Sequence, residues 1–400
     1  MFNNRRDILK IALILALALT AFSAGFLLND VVSLRSGRSV LAGGSDEFGV
    51  FWEAWSRIEN NYLGPLPTEQ QMTYGAVRGA ISALGDPHTV FVEPIAREFE
   101  QAAYRGNFGG IGAVLERGED GQIYLSPFVD NPASTAGILE GDILLSVDGQ
   151  EILAEMTTTD VANLIRGEQG TEVKLIILHD GEIEPVEIVV VRGVILLPSV
   201  TYRILEESPD IGYLQLTRFS GESADEVADA LIFFEEKNIE KLILDLRQNG
   251  GGLLSAAIDV SDHFLDSGTI VYQASRGEAE KEFSATADTI ARDIELVILV
   301  DGGTASASEI VAGALQDHDR ATLIGVNSFG KGSVQNVYDL SDGSSVHVTS
   351  ARWFTPNRTP LDEHGLVPDI LVEITEKALA DGRDEILLNA VEYLTGKAME

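Results

Sequence analysis

Hydrophobic and polar positions divide the chain into stretches of different rhythm. Ile11 to Leu28 is an apolar run broken only by Thr20, Ser23 and Gly25, with Arg5, Arg6 and Lys10 ahead of it. As a helix this run would reach about 27 Å, close to a hydrocarbon core of about 30 Å. Ser33, Ser36, Gly37, Ser39, Gly43, Gly44 and Ser45 then read as a tether. Phe48, Phe51, Trp52, Trp55, Ile58 and Tyr62 recur at helical spacing. Such a stripe is a packing face, and it equally suits contact with a second copy in a homodimer. Pro65 and Pro67 end the pattern. Thr68-Glu69-Gln70-Gln71 is a capping box that opens a further helix, running to about Leu84.

From Gly109 to Val191 the texture changes to short strands. Ile111–Leu115 and Ile123–Phe128 flank an Asp120-Gly121 turn. Thr159 to Ile165 reads as a short helix, and Val173–Leu178 and Val186–Val191 as closing strands. Beyond residue 195 strands and helices alternate. Strands are expected at Ile211–Leu216, Leu242–Leu246, Leu296–Val300 and Thr322–Gly325, and helices at Glu222–Glu236, Leu253–Leu265 and Ala307–Gln316. That rhythm is α/β, with helices covering a sheet. Val334–Leu340 and Ser345–Trp353 read as a hairpin around Asp342-Gly343.

Composition narrows the function. With 63 acidic against 28 basic side chains the net charge is −35, which repels phosphate backbones and argues against nucleic acid as a partner. Zero cysteines exclude disulfides, thiolate catalysis and Cys-type zinc sites. The positive charge before Ile11–Leu28 points the N-terminus inward and the body outward, as for a single-pass membrane anchor. Ala21-Phe22-Ser23 would alternatively offer a signal-cleavage site, releasing a secreted body. The run is long for a signal peptide, which favours the anchor. Both readings put the body on the extracytoplasmic side.

Candidate chemistry gathers in three segments. Ser306 opens the helix of Thr304-Ala305-Ser306-Ala307-Ser308-Glu309, where the helix dipole favours anionic character. Most serines in an S-x-x-E box merely cap, and Ser308 is a rival hydroxyl in the same run. Lys331 lies in Phe329-Gly330-Lys331-Gly332; shielded from water, a lysine can act as a base. Gly325 to Gly332 nearly spells a phosphate-cradling loop, but its last position is Gly and a strand pattern follows. Ser328 to Lys331 also spells S-x-x-K, yet Gly330 and Gly332 make the required helix poor. Third, Asn249-Gly250-Gly251-Gly252 ends a buried strand, and consecutive glycines let backbone N–H groups converge on an oxyanion. The six histidines form no metal-binding spacing, and no cofactor or metal is expected.

In combination and in order these motifs resemble the C-terminal processing (tail-specific) peptidases, a family of PDZ-containing Ser/Lys serine proteases. The likeness covers nearly everything after residue 46. It includes Asp86-Pro87-His88-Thr89, the 109–191 block as PDZ domain, Phe354-Thr355-Pro356-Asn357 and Gly365-Leu366-Val367-Pro368-Asp369. The chain departs from the family at Gly250, where a proline is usual, and lacks a glycine between Asn357 and Arg358.

The resemblance implies a crotonase-like core of ββα units with an inserted PDZ-like domain. The layout is then 1–28 anchor or signal, 29–45 tether, 46–103 helical segment, 104–194 PDZ-like domain, 195–374 peptidase and 375–400 C-terminal helix. It implies Ser306 as nucleophile, Lys331 as general base and Gln335 as the group orienting the amine. Backbone N–H groups of Gly252 and Ala307 would form the oxyanion hole. Gly110, Ile111 and Gly112 would capture a terminal carboxylate, with Ile111, Ala113, Val161 and Ile165 around the last apolar side chain. Arg166 would signal occupancy. The expected substrates are protein or peptide C-termini. A catalytically silent membrane-tethered PDZ adaptor is the alternative, and a crotonase-like acyl-CoA enzyme ranks last.

Overall fold

A computed structural model describes residues 47–396, apart from 288, 363, 376, 377, 379 and 380. The run Ile11–Leu28 lies outside them, and among the described residues no helix is long and apolar enough to cross a membrane. The chain forms two compact units that divide after Gly75. The first holds helix α1 (Glu47–Asn61) and the start of α2 (Glu69–Ser82). Thr68 caps α2 reciprocally: its hydroxyl accepts the Gln71 N–H at 3.2 Å, and the Gln71 side chain accepts the Thr68 N–H at 2.9 Å. Phe48, Trp52, Ile58 and Tyr62 of the aromatic stripe are exposed.

The second unit takes in the rest of α2, followed by β1 (Val90–Val92), α3 (Pro94–Arg105) and β2 (Asn107–Gly110). The PDZ-like block follows: β3 (Ala113–Arg117), β4 (Ile123–Pro127), α4 (Pro132–Ala136), β5 (Asp142–Val147), β6 (Gln150–Glu151), α5 (Thr158–Ile165), β7 (Glu172–Leu178) and β8 (Val186–Val191). Its strands pair in the order β3-β4-β5-β7-β8, with β6 on β5. Alternating Val173, Leu175 and Ile177 of β7 point into a core shared with Leu125, Leu144 and Val161. Strand β9 (Gly193–Leu196) pairs with β2, so the block is an insertion entered and left through one two-stranded stalk.

The remaining elements are β10 (Val200–Leu205), β11 (Ser208–Leu216), α6 (Ser223–Glu236), β12 (Lys241–Asp245), α7 (Leu254–Asp262), β13 (Thr269–Ser275), β14 (Lys281–Ser284) and β15 (Glu295–Val300). They end with α8 (Ala307–Asp317), β16 (Ala321–Gly325), β17 (Ser333–Asp339), β18 (Ser345–Phe354), β19 (Ile370–Leu371) and α9 (Glu385–Thr395). The main sheet runs β10-β11-β12-β15-β16-β19, parallel from β11 onward. Leu242 and Leu244 of β12 face one core with α6, α7 and α8, while Ile243 faces another with α9. Both faces being covered, the strands read as continuous apolar runs rather than alternating ones.

In open α/β sheets, sites form beyond the carboxyl ends of the strands. Here the neighbours β12, β15 and β16 end at Asp245, Val300 and Gly325. The loops leaving those three ends carry the glycines, Ser306 and Lys331. A second sheet, β1-β18-β13-β14 with β17 on β18, holds the hairpin that follows Lys331.

Candidate active site

Ser306 is the N-cap of α8 and sits half-buried at φ 57°, ψ −115°. A positive φ in a residue with a Cβ costs free energy and persists only where surroundings enforce it. The enforcing group is Glu309, fully buried one turn into the helix. Its Oε2 accepts the Ser306 N–H at 2.8 Å. The reciprocal half of the box, Glu309 N–H to the Ser306 hydroxyl, has the arrangement but not the geometry of a formed hydrogen bond.

The same carboxylate reaches the lysine loop. Glu309 Oε2 accepts the Lys331 N–H at 2.9 Å, and Oε1 accepts the Gly330 N–H at 2.7 Å and the Ser328 hydroxyl at 2.6 Å. Phe329 N–H donates to the Thr304 carbonyl at 2.9 Å, a second tie between the loops. Hydrogen bonds to a buried charge are stronger than neutral ones, so four on one carboxylate fix both loop backbones together.

The glycine loop is locked to the Ser306 loop in the same way. Gln248 N–H and side-chain amide donate to Asp301 at 2.9 and 2.6 Å. Burial would raise the Asp301 carboxyl, but these bonds and the Gly303 N–H hold it below its ordinary range. Buried Asn249 accepts the Gly251 N–H at 2.9 Å on its side chain, and its carbonyl accepts Ala305 N–H at 3.0 Å. Ser308, the rival hydroxyl, is fully buried and spends its proton on that same carbonyl at 2.8 Å. It is a clasp.

Gly251 and Gly252 have φ of 100° and 147°, conformations that side chains resist. A Cβ at Gly251 would lie 2.9 Å from both Ser306 Cβ and Ala307 N. At Gly252 it would lie 2.0 Å from the Phe219 carbonyl. The glycines thus let one backbone pass directly against the serine. Beneath the loop, Arg247 joins buried Asp245 to Asp384 at the start of α9. Burial alone would lower the guanidinium, and the two carboxylates raise it instead.

Lys331 is half-buried just ahead of β17. Gln335, four residues on, turns its side-chain amide to the His88 carbonyl. The capping boxes and glycines were legible in sequence; the role of Glu309 as acceptor for both loops and the contact of Gln335 with His88 were not, because their partners are remote in the chain.

In the PDZ-like block, Gly110, Ile111, Gly112, Ala113 and Ile165 line a cleft of about 60 Å³. Val161 is wholly buried in the core rather than on that cleft. Arg166 ends α5 and stacks over Phe99 of α3 and Phe108 of β2, at 4.6 and 4.9 Å from the ring centres. Burial lowers its pKa. An 800 Å³ cavity lined by Ile95, Phe99, Phe108 and Arg166 lies alongside. Among the described residues no group of three His, Asp or Glu could hold a metal ion.

Comparison with known proteins gives the family. Residues 210–372 match the model of Peptidase family S41, and residues 130–178 match a PDZ domain model. The chain is 36% identical to a carboxy-terminal-processing protease of Bartonella bacilliformis over 81% of its own length and 74% of that protein's. It is 32% identical to the carboxy-terminal processing protease CtpA of Bacillus subtilis, covering 93% of this chain and 77% of that one. Among solved structures, the photosystem II D1 C-terminal processing protease is 30% identical, with TM-score 0.46, covering 82% of this chain and 94% of that one. A serine-type peptidase with a PDZ domain is the class these features define. The chain belongs to peptidase family S41, among the carboxy-terminal-processing proteases.

Proposed function

We propose that Ser306 is the nucleophile and Lys331 its general base, in a crotonase-like core that cleaves peptide bonds near protein C-termini. Ser306 Oγ attacks the scissile carbonyl carbon while its proton passes to the free amine of Lys331. Backbone N–H groups of Gly252 and Ala307 stabilise the oxyanion. Lys331 then returns the proton to the leaving amine, giving an acyl-enzyme that water hydrolyses. Gln335 orients the lysine amine. The observation that carries this reading is the Glu309 carboxylate, which holds the serine and lysine backbones on one side chain.

The PDZ-like domain selects the substrate. Its Gly110-Ile111-Gly112 segment takes the terminal carboxylate while the peptide adds as a strand to β3, and Ile111, Ala113 and Ile165 of the cleft surround the last apolar side chain. Arg166 relays occupancy. On the sequence of Ile11–Leu28, the chain is held at a membrane with its body on the extracytoplasmic side.

The test is turnover of a peptide with a free, apolar C-terminus by the full chain and by Ser306→Ala and Lys331→Ala. Each variant is expected to bind without cleaving. Cleavage by Ser306→Ala at the parent rate ends the assignment.

A further inference from the structure

The segment Asp86-Pro87-His88-Thr89 lies far from Ser306 in sequence, yet it is built into the lysine hairpin. Asp86 Oδ1 accepts the His88 N–H at 3.0 Å, and Oδ2 accepts the Thr89 N–H and hydroxyl at 3.2 and 2.6 Å. This closes a tight turn on one carboxylate. The Thr89 hydroxyl oxygen in turn accepts the Thr349 N–H of β18 at 3.1 Å. Val90 to Val92 continue from the turn and pair with β18 at His347 to Ser345. The turn is thus pinned to β18 by side chain and by strand pairing.

Its place along β18 matters. The β17–β18 ladder slips by one residue: Val334 faces Ala351, but Gln335 faces Thr349, so Ser350 is the extra residue of a bulge. Bulges re-aim side chains and are common beside active sites. At this one the Gln335 amide meets the His88 carbonyl. A carbonyl oxygen can only accept, so the group facing it must be the Nε2 amide. With Nε2 on that carbonyl, Oε1 is the remaining polar end of the Gln335 side chain.

We propose that Asp86 and Thr89 are positioning residues for the general base: their turn presents the His88 carbonyl, which orients Gln335 so that its Oε1 accepts an N–H from Lys331. The amine's lone pair is then turned toward the Ser306 hydroxyl, and the ammonium formed on proton transfer keeps the same acceptor. This rests on the assignment of Lys331 as base and Gln335 as its orienting group.

A double-mutant cycle on the full chain tests it, with kcat, KM and the thermal unfolding midpoint read for each variant. Asp86→Asn is expected to lower kcat about tenfold, with KM unchanged within about twofold. Added to Gln335→Ala, it should lower kcat by less than about twofold more, since the turn acts only through that amide. Thr89→Ser, which keeps the hydroxyl, should match the parent, and Thr89→Val should behave as Asp86→Asn. An equal loss from Asp86→Asn in both backgrounds overturns the inference while leaving the base assignment intact. A Gln335→Ala variant with the parent's kcat overturns the orienting role itself.

Discussion

The carboxylate of Glu309 accepts the backbone N–H of Lys331 at 2.9 Å. The same oxygen accepts the Ser306 N–H at 2.8 Å, so the distance between the Ser306 and Lys331 loops is set by one buried side chain. Glu309→Gln would offer an NH₂ to backbone donors and leave at least one of them buried and unpaired. It is expected to cost about 3 kcal/mol of stability and to lower kcat at least tenfold. Denaturant unfolding and turnover measured on one preparation check both.

Gly251→Ala places a methyl group where Ser306 Cβ and Ala307 N already stand, at a φ that alanine resists. Displacing this backbone should misdirect the oxyanion donors and lower kcat by about 10²-fold, with a smaller change in KM. Steady-state kinetics decide it. An alanine variant with the parent's kcat would remove the glycine loop from the reaction.

Acid should weaken the Asp86 turn in a defined window. Burial opposes ionisation of Asp86, but the Thr89 hydroxyl and the His88 N–H bring its pKa down from 3.8 to about 2. A carboxyl whose folded pKa lies below its unfolded one stabilises the fold above the unfolded value. That contribution fades as pH falls from 3.8 toward 2. The stability difference between parent and Asp86→Asn should therefore be constant at neutral pH and shrink toward zero across that window. Unfolding midpoints of the pair, taken from pH 7 downward, give the answer; a difference as large at pH 2 as at pH 7 contradicts it.

Substrate capture is separable from chemistry. If Gly110 to Gly112 take the terminal carboxylate, amidating the C-terminus of a peptide substrate removes a charge-assisted contact and should raise KM about tenfold. Bond cleavage itself is remote from that group, so kcat for short substrates should hold. Equal KM values for acid and amide forms would exclude this mode of recognition.

The alternation of strands and helices from β11 to β16 was legible in the chain, because buried strands and amphipathic helices leave local patterns of apolar spacing. So were the hairpin of β17 and β18, the short-strand texture of the PDZ-like block and the placement of Ser306 at a helix start. Strand β1 and helix α3 went unread: three residues are too few to show alternation, and α3, which starts at Pro94, buries one residue, Ala102.

Residue identity and local spacing thus determined on which elements the candidate groups ride. Tertiary structure alone decided that β12, β15 and β16 lie side by side, that Glu309 serves two loops, and that the Asp86 turn reaches Gln335. Those contacts join positions remote along the chain, and their free energy comes from burying charge and apolar surface together, which no short window of sequence records.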